Sequence, residues 1–218
     1  MSFLKNIFGI NSNKKQTRTL NHPNDLREGD IIKFRYLNIA EISEKEFEVS
    51  QINTYIYDDL CYPELVLKDC SNNVIFMLVN DEDGEEYLAL STKLDRTKIS
   101  SLIEPNIMKC ILDGKERDYL DIFVKPHPYE DWLTTYYQKV NNNILGSYVK
   151  GDARYLSDAE LNKRQSFTSY IFEDDSSGEY AIEIEAYKTG EVEVSLTRYF
   201  DIKEIEELWP KKINDVKD

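Results

Sequence analysis

Glu179-Tyr180-Ala181-Ile182-Glu183-Ile184-Glu185-Ala186-Tyr187 is the stretch on which the fold reading turns. Tyr180, Ile182, Ile184 and Ala186 alternate with Ala181, Glu183, Glu185 and Tyr187. A period of two sends successive side chains to opposite faces, so the pattern marks a strand in a sheet with one buried face. Turn formers bracket it, Asp174-Asp175-Ser176-Ser177-Gly178 before and Lys188-Thr189-Gly190 after. Glycine and short polar side chains supply the backbone freedom that a reversal needs. Residues 166–173 and 191–199 lie beyond these turns and read as two further strands.

Working outward, Ser157-Asp158-Ala159-Glu160 has capping-box spacing and opens a short helix to about residue 164. Residues 129–140 read as a helix with Trp132, Leu133, Tyr136, Tyr137 and Val140 on one side, against the strand preference of Thr134-Thr135-Tyr136-Tyr137. On the other flank, Asp201-Ile202-Lys203-Glu204 caps a final helix that points Ile202, Ile205, Leu208 and Trp209 inward and stops at Pro210.

The first half adds strands in succession. Leu26-Arg27-Glu28-Gly29-Asp30 reads as a turn before a strand over residues 31–37. From Phe47 onward the chain alternates, with Phe47, Val49, Gln51, Asn53 and Tyr55 on one face. A long connection over residues 58–63 leads to strands at 64–68, 74–79 and 87–90, an antiparallel meander. Residues 96–103 form a short helix closed by Pro105, and residues 107–112 and 119–124 form a hairpin about Asp113-Gly114. The fold class is therefore α+β, mainly antiparallel β-meanders with a few short helices. The expected segments are a tip and linker (residues 1–24), a β-rich unit (25–125) and a second β-rich unit with a C-terminal helix (126–218).

Charge divides the chain. Its 218 residues carry a formal charge of −14. The first twenty hold Lys5, Lys14, Lys15 and Arg18 and no acid, which leaves 23 bases against all 41 acids in the rest, a balance of −18. A body of that sign repels phosphate backbones, so direct nucleic-acid binding is not expected. Within the tip, Phe3 with Ile7 and Leu4 with Phe8 are i,i+4 pairs, and Gly9 is a helix stop. A helix of about two turns is marginal alone in water and needs a cover for its apolar face. The protein's own core, an anionic membrane surface met with help from Lys5, and a groove on a partner are the three candidate covers. Phe3, Leu4, Lys5, Ile7 and Phe8 are thus the docking candidates. The polar residues 11–24, ending in His22-Pro23, read as a linker.

No pattern specifies catalysis, a cofactor or a metal. Cys61, Cys70 and Cys110 are odd in number and lack a CxxC, and His22 and His127 stand apart. Aligning Gly84 or Gly178 with the glycine of a calcium loop puts Leu90 or Ile184 at the bidentate acid position, so both alignments fail. There is no phosphate loop, nucleophile elbow or dinucleotide fingerprint. Trp132, Tyr136, Tyr137 and Tyr148 read as core aromatics before they read as a groove. The lack of a signal-peptide pattern and of long apolar runs leads to the expectation of a cytoplasmic protein, peripheral at the inner membrane if the tip docks there.

Leu26-Arg27-Glu28-Gly29-Asp30-Ile31-Ile32, the strand Glu64-Leu65-Val66-Leu67 and Asp81-Glu82-Asp83-Gly84-Glu85-Glu86-Tyr87-Leu88 together resemble a bacterial domain family of unknown function, number 4178 in that series. The resemblance covers residues 26–92 and departs from the family pattern at residues 58–63. It implies a compact β unit and, because members sit beside membrane-stress proteins of the phage-shock type, a membrane-linked accessory role. No site residues carry over. The expected function is a non-enzymatic bacterial accessory or interaction protein with a protein partner. The alternative is an acidic module that occupies a basic partner surface in the manner of a nucleic-acid mimic.

Overall fold

A computed structural model describes residues 18–115, 117–140 and 143–211. Its first half contains β1 (Ile31–Phe34), β2 (Glu46–Tyr57), β3 (Leu60–Lys68), β4 (Val74–Glu82) and β5 (Glu85–Lys93). Two helices follow, α1 (Arg96–Leu102) and α2 (Pro105–Leu112). The second half contains β6 (Tyr119–Asp121), β7 (Tyr136–Lys139), β8 (Ile144–Lys150), α3 (Asp158–Leu161), β9 (Gln165–Glu173), β10 (Tyr180–Tyr187), β11 (Val192–Asp201) and β12 (Ile205–Trp209). The molecule is mostly antiparallel β with a few short helices, as expected of a β-rich chain, but it is a mainly β barrel rather than α+β meanders, because the meander strands of the two halves pair with each other.

Eight of these strands close on themselves. β2 pairs with β3, β3 with β4, β4 with β5, β5 with β11, β11 with β10, β10 with β9, β9 with β8, and β8 returns to β2. Every pairing is antiparallel, and closure removes the exposed edges that an open sheet would present. β1 and β12 extend the sheet beside the first half of β2, while β7 and β6 extend it beside the end of β9. The two β-rich units expected at 25–125 and 126–218 are joined into one sheet: β2 to β5 come from one, β8 to β11 from the other, and the ring closes through pairings between them.

Register defines the two faces of the ring. Glu183 stands beside Ser195 and Ser195 beside Lys93, Tyr187 beside Phe167 and Phe167 beside Gly146, Tyr148 beside Tyr55 and Tyr55 beside Tyr62. All of these share one face. Lys93 Nζ lies 5.6 Å from the centre of the Tyr148 ring. β5 and β8 stand four steps apart in either direction around the ring, so this face points inward and lines the lumen. The other face is apolar. Ile52, Leu65, Leu67, Leu88, Leu90, Ile182, Ile184, Val194 and Leu196 pack there against Leu26, Ile39, Ile42, Leu102, Ile111 and Trp132, which come from segments outside the ring.

Arg198, only 1% exposed, pins those outer segments. Its guanidinium donates to the Asp131 carbonyl at 2.8 Å and to Asn38 Oδ1 at 3.2 Å, and it stacks 3.8 Å from the centre of the Tyr180 ring. A buried arginine held by carbonyl, amide and ring together exchanges hydration for fixed partners.

Several elements differ from the sequence expectation. Residues 107–112 are helical, not a strand. Pro105 opens α2 rather than closing α1, because its fixed φ and missing N–H suit the first helical position. Ile107, Met108, Ile111 and Leu112 then turn one side to the core. In 129–140 only Glu130–Trp132 is helical, as a single 3-10 turn, and Tyr136–Lys139 is strand β7. There the β preference of the Thr-Tyr run prevails once β6 and β9 supply partners. The expected C-terminal helix is one 3-10 turn, Ile202–Glu204, followed by β12, which takes the free edge of β1. The long connection at 58–63 is a two-residue turn, Asp58-Asp59, at φ 47 and 64. A bulge between Val49 and Gln51 splits the face assigned to β2: Phe47 and Val49 join the apolar core, while Asn53 and Tyr55 line the lumen.

Candidate functional site

The docking candidates Phe3, Leu4, Lys5, Ile7 and Phe8 lie outside the described residues. The end of the linker does not. Arg18 pairs with the buried carboxylate of Asp30, and His22 Nε2 lies 3.0 Å from Glu86 Oε2. His22 also caps the 3-10 turn Pro23–Asp25. The segment before β1 is therefore anchored on the body from Arg18 onward.

The lumen is where chemistry-bearing side chains converge. β-strand alternation places Glu64, Lys93, Glu183, Glu185 and Glu193 inside, between rings from the same strands. Tyr55, Phe167 and Tyr187 form a buried aromatic cluster, with Tyr57, Tyr62 and Tyr148 packed against it. Tyr57 and Tyr55 each meet the Phe167 ring edge-on at 5.8 Å. Gly146 makes that packing fit: a Cβ there would stand 2.5 Å from Phe167 Cζ and 2.6 Å from Tyr57 Cε1.

The polar groups are held one by one. Asn53 Nδ2 donates to Glu64 Oε2 at 2.9 Å, Tyr187 OH to Glu185 Oε2 at 2.7 Å, and Thr197 Oγ1 to Glu183 Oε1 at 2.7 Å. Lys93 Nζ reaches Glu193 Oε2 at 2.7 Å and stands 3.9 Å from Glu64 Oε1. Glu64 and Glu193 thus share one ammonium, while Glu183 and Glu185 are held by hydroxyl donors. Burial pushes the pKa of Glu64 and Glu183 up and that of Glu185 up to about 7, because water that would solvate the charge is excluded. Burial alone would lower Lys93, but Glu64 and Glu193 hold it above its ordinary value. Burial likewise raises Tyr55, Tyr57 and Tyr187, and the neighbouring carboxylates add to it.

What the lumen can admit is limited. The cavity among Tyr55, Glu64, Phe76, Ser91, Glu183 and Glu185 measures about 30 Å³. That is room for a water or two and not for an organic substrate. Outside it, the β4–β5 hairpin and the end of β11 form a wider acidic basin of about 560 Å³ lined by Glu82, Asp83, Glu85, Glu86, Tyr87 and Asp201.

Of the residues weighed for chemistry, His127 is exposed and faces Glu130 at 3.1 Å. Cys61 and Cys70 are exposed and Cys110 is half-buried, all as free thiols. Trp132 and Tyr137 are buried in the core, Tyr136 is exposed and Tyr148 lines the lumen, so these aromatics form no common groove. Among the described residues, no group of three or more His, Cys, Asp or Glu is placed to hold a metal ion. Among the same residues, no helix is long and apolar enough to cross a membrane. The lumen carboxyls were missed in sequence because Glu183 and Glu185 alternate with apolar residues, as solvent-facing positions do. The signal that could have found them is Tyr187 and Ala181 on that same face, since an aromatic and an alanine are unusual on a solvated one.

No family model, curated protein or solved structure matches the chain.

Proposed function

We propose that this chain is a non-enzymatic accessory or interaction protein of a bacterial cytoplasm, in which an acidic β-ring carries a basic, apolar N-terminal tip to a membrane surface or protein partner. The observation that carries the reading is the tightness of the cavity among Tyr55, Glu64, Glu183 and Glu185: at about 30 Å³ it has no room for an organic substrate, which supports a ring that works as a scaffold and leaves recognition to the surface. Charge segregation supports the tip as the contact, since Lys5, Lys14 and Lys15 precede the first acid at Asp25, while Arg18 is paired with Asp30 on the body. Arg18 and His22, which follow the tip, are anchored on the body. The resemblance of residues 26–92 to the uncharacterised family adds a membrane-linked role by association. Co-sedimentation with anionic phosphatidylglycerol vesicles, with and without residues 1–10, tests it. The full chain sediments and the truncated chain stays in solution, and equal sedimentation of both would exclude the membrane contact.

The acidic basin favours a second reading, an acidic module that occupies a basic partner surface. Glu82, Asp83, Glu85, Glu86 and Asp201 gather negative charge at one mouth of the ring. A basic partner captured at low salt should be released by about 0.5 M salt, where the screening length falls to roughly 4 Å. Capture that ignores salt would count against this reading.

A further inference from the structure

Among the described residues, the strand path ends at two free edges, β12 and β6. They are guarded differently. β12 presents Glu206 and Glu207 and runs into Pro210, the charged and proline-ended finish that keeps an edge from pairing. β6 is covered on one face only. Leu120 and Ile122 are 1% and 2% exposed and sit in the core, whereas Tyr119 is 49% and Phe123 90% exposed. Tyr136 of β7 stacks on Tyr119 at 6.2 Å, and the Arg117 guanidinium lies 5.6 Å from the Tyr119 ring centre. The other face of β6 and β7 is therefore a small aromatic patch flanked by Arg117 and Asp121.

The backbone on this edge is also unspent. Ile122 N donates to Thr135 O at 2.8 Å and Lys139 N to Asp118 O at 2.8 Å. In an antiparallel ladder the residues between those pairs turn their N–H and C=O groups the other way. Tyr119 and Asp121 thus point their backbone groups off the free edge.

We propose that β6 pairs with β6 of a second copy of this chain, antiparallel about a two-fold axis through Tyr119. Charge selects both partner and register. With Tyr119 opposite its own counterpart, Arg117 of each copy stands directly opposite Asp121 of the other, giving two cross-strand ion pairs. The rings of Tyr136 and Tyr119 from both copies form one row beside them. Moving the centre of pairing to Leu120 or Asp121 puts Asp121 opposite Tyr119 or opposite the second Asp121 and leaves each arginine without an acid. Directly opposed unlike charges stabilise a strand pair and like charges oppose it. A two-fold contact also makes a single surface complementary to itself. Because β6 is three residues long, the dimer is weak and concentration-dependent.

Sedimentation equilibrium of the full chain up to about 100 µM tests the proposal. The wild-type chain dimerises over that range. Arg117→Asp sets acid against acid twice and raises the dissociation constant at least about tenfold. The exchange Arg117→Asp with Asp121→Arg restores the pairs and the dimer. Far-ultraviolet circular dichroism of each variant reports that the fold is kept. A wild-type chain that stays monomeric, a dimer indifferent to Arg117→Asp, or a dimer that the exchange fails to restore in a folded protein would each overturn it.

Discussion

On β10, Ile182 and Ile184 are completely buried in the apolar core, while Glu183 and Glu185, one residue away, turn into the lumen. The same backbone serves both faces, so the contrast lies in side chains alone. On the apolar side, burial removes hydrocarbon from water and stabilises the fold at any pH. On the lumen side, burial holds acids away from water and stabilises only their protonated forms. The ring is thus kept closed from one face and made responsive to protons from the other.

Substitutions can break that contrast. The largest effect is expected from Ile184→Ala, which opens a cavity in the core. It should cost about 2–5 kcal/mol in urea unfolding, equally at pH 5 and pH 8. A loss that depended on pH would tie the two faces together. Next comes Glu185→Gln. The carboxyl is held at about 7 in the fold against 4.5 in the unfolded chain, so the fold binds the proton more tightly. Its stabilising contribution is complete below pH 4.5 and falls away as pH rises toward 7, after which a buried charge remains. The amide that replaces it carries no charge at any pH. The variant should match the parent near pH 4 and exceed it by up to about 3 kcal/mol at pH 8. Parallel stability curves across that range would show that Glu185 ionises freely. The smallest effect belongs to Gly146→Ala, whose new methyl would press on Phe167 and Tyr57. Displacing two rings in a filled lumen should cost about 1–3 kcal/mol, read as a lower melting temperature. An unchanged melting temperature would mean that the rings move aside without cost and that the lumen is soft.

Segments shaped by local interactions are legible in the sequence, and segments shaped by distant partners are not. Strands β9, β10 and β11 were legible because alternation and turn chemistry are local. The helix at α1 was found as well, with Asp95 accepting from Lys98 N as its cap. What escaped was set by distant partners. Residues 205–209 look helical until β1 offers an edge, and residues 136–139 become a strand between β6 and β9. Single-residue events were hidden too. The bulge after Val49 reverses the face of everything downstream in β2, which turns Asn53 and Tyr55 into the lumen, away from the face of Phe47 and Val49. The lumen acids were legible as residues and not as a site, because only ring closure brings β3, β5, β10 and β11 to a common interior.

The two halves of the ring meet late in the chain, at the β2–β8 and β5–β11 seams. Thr54 in β2 donates its hydroxyl to the carbonyl of Gly151, 97 residues further on. A ribosome adding about 5–20 residues each second would leave the edge of β2 waiting roughly 5–20 s for its second neighbour. During that interval β2 to β5 can assemble as a curled sheet, but the end of β2 and the edge of β5 both stay open and Tyr55 and Tyr57 lack their cover. The seam between β2 and β8 therefore gives the newborn protein a vulnerable age, when an unpaired strand is most apt to find the wrong neighbour.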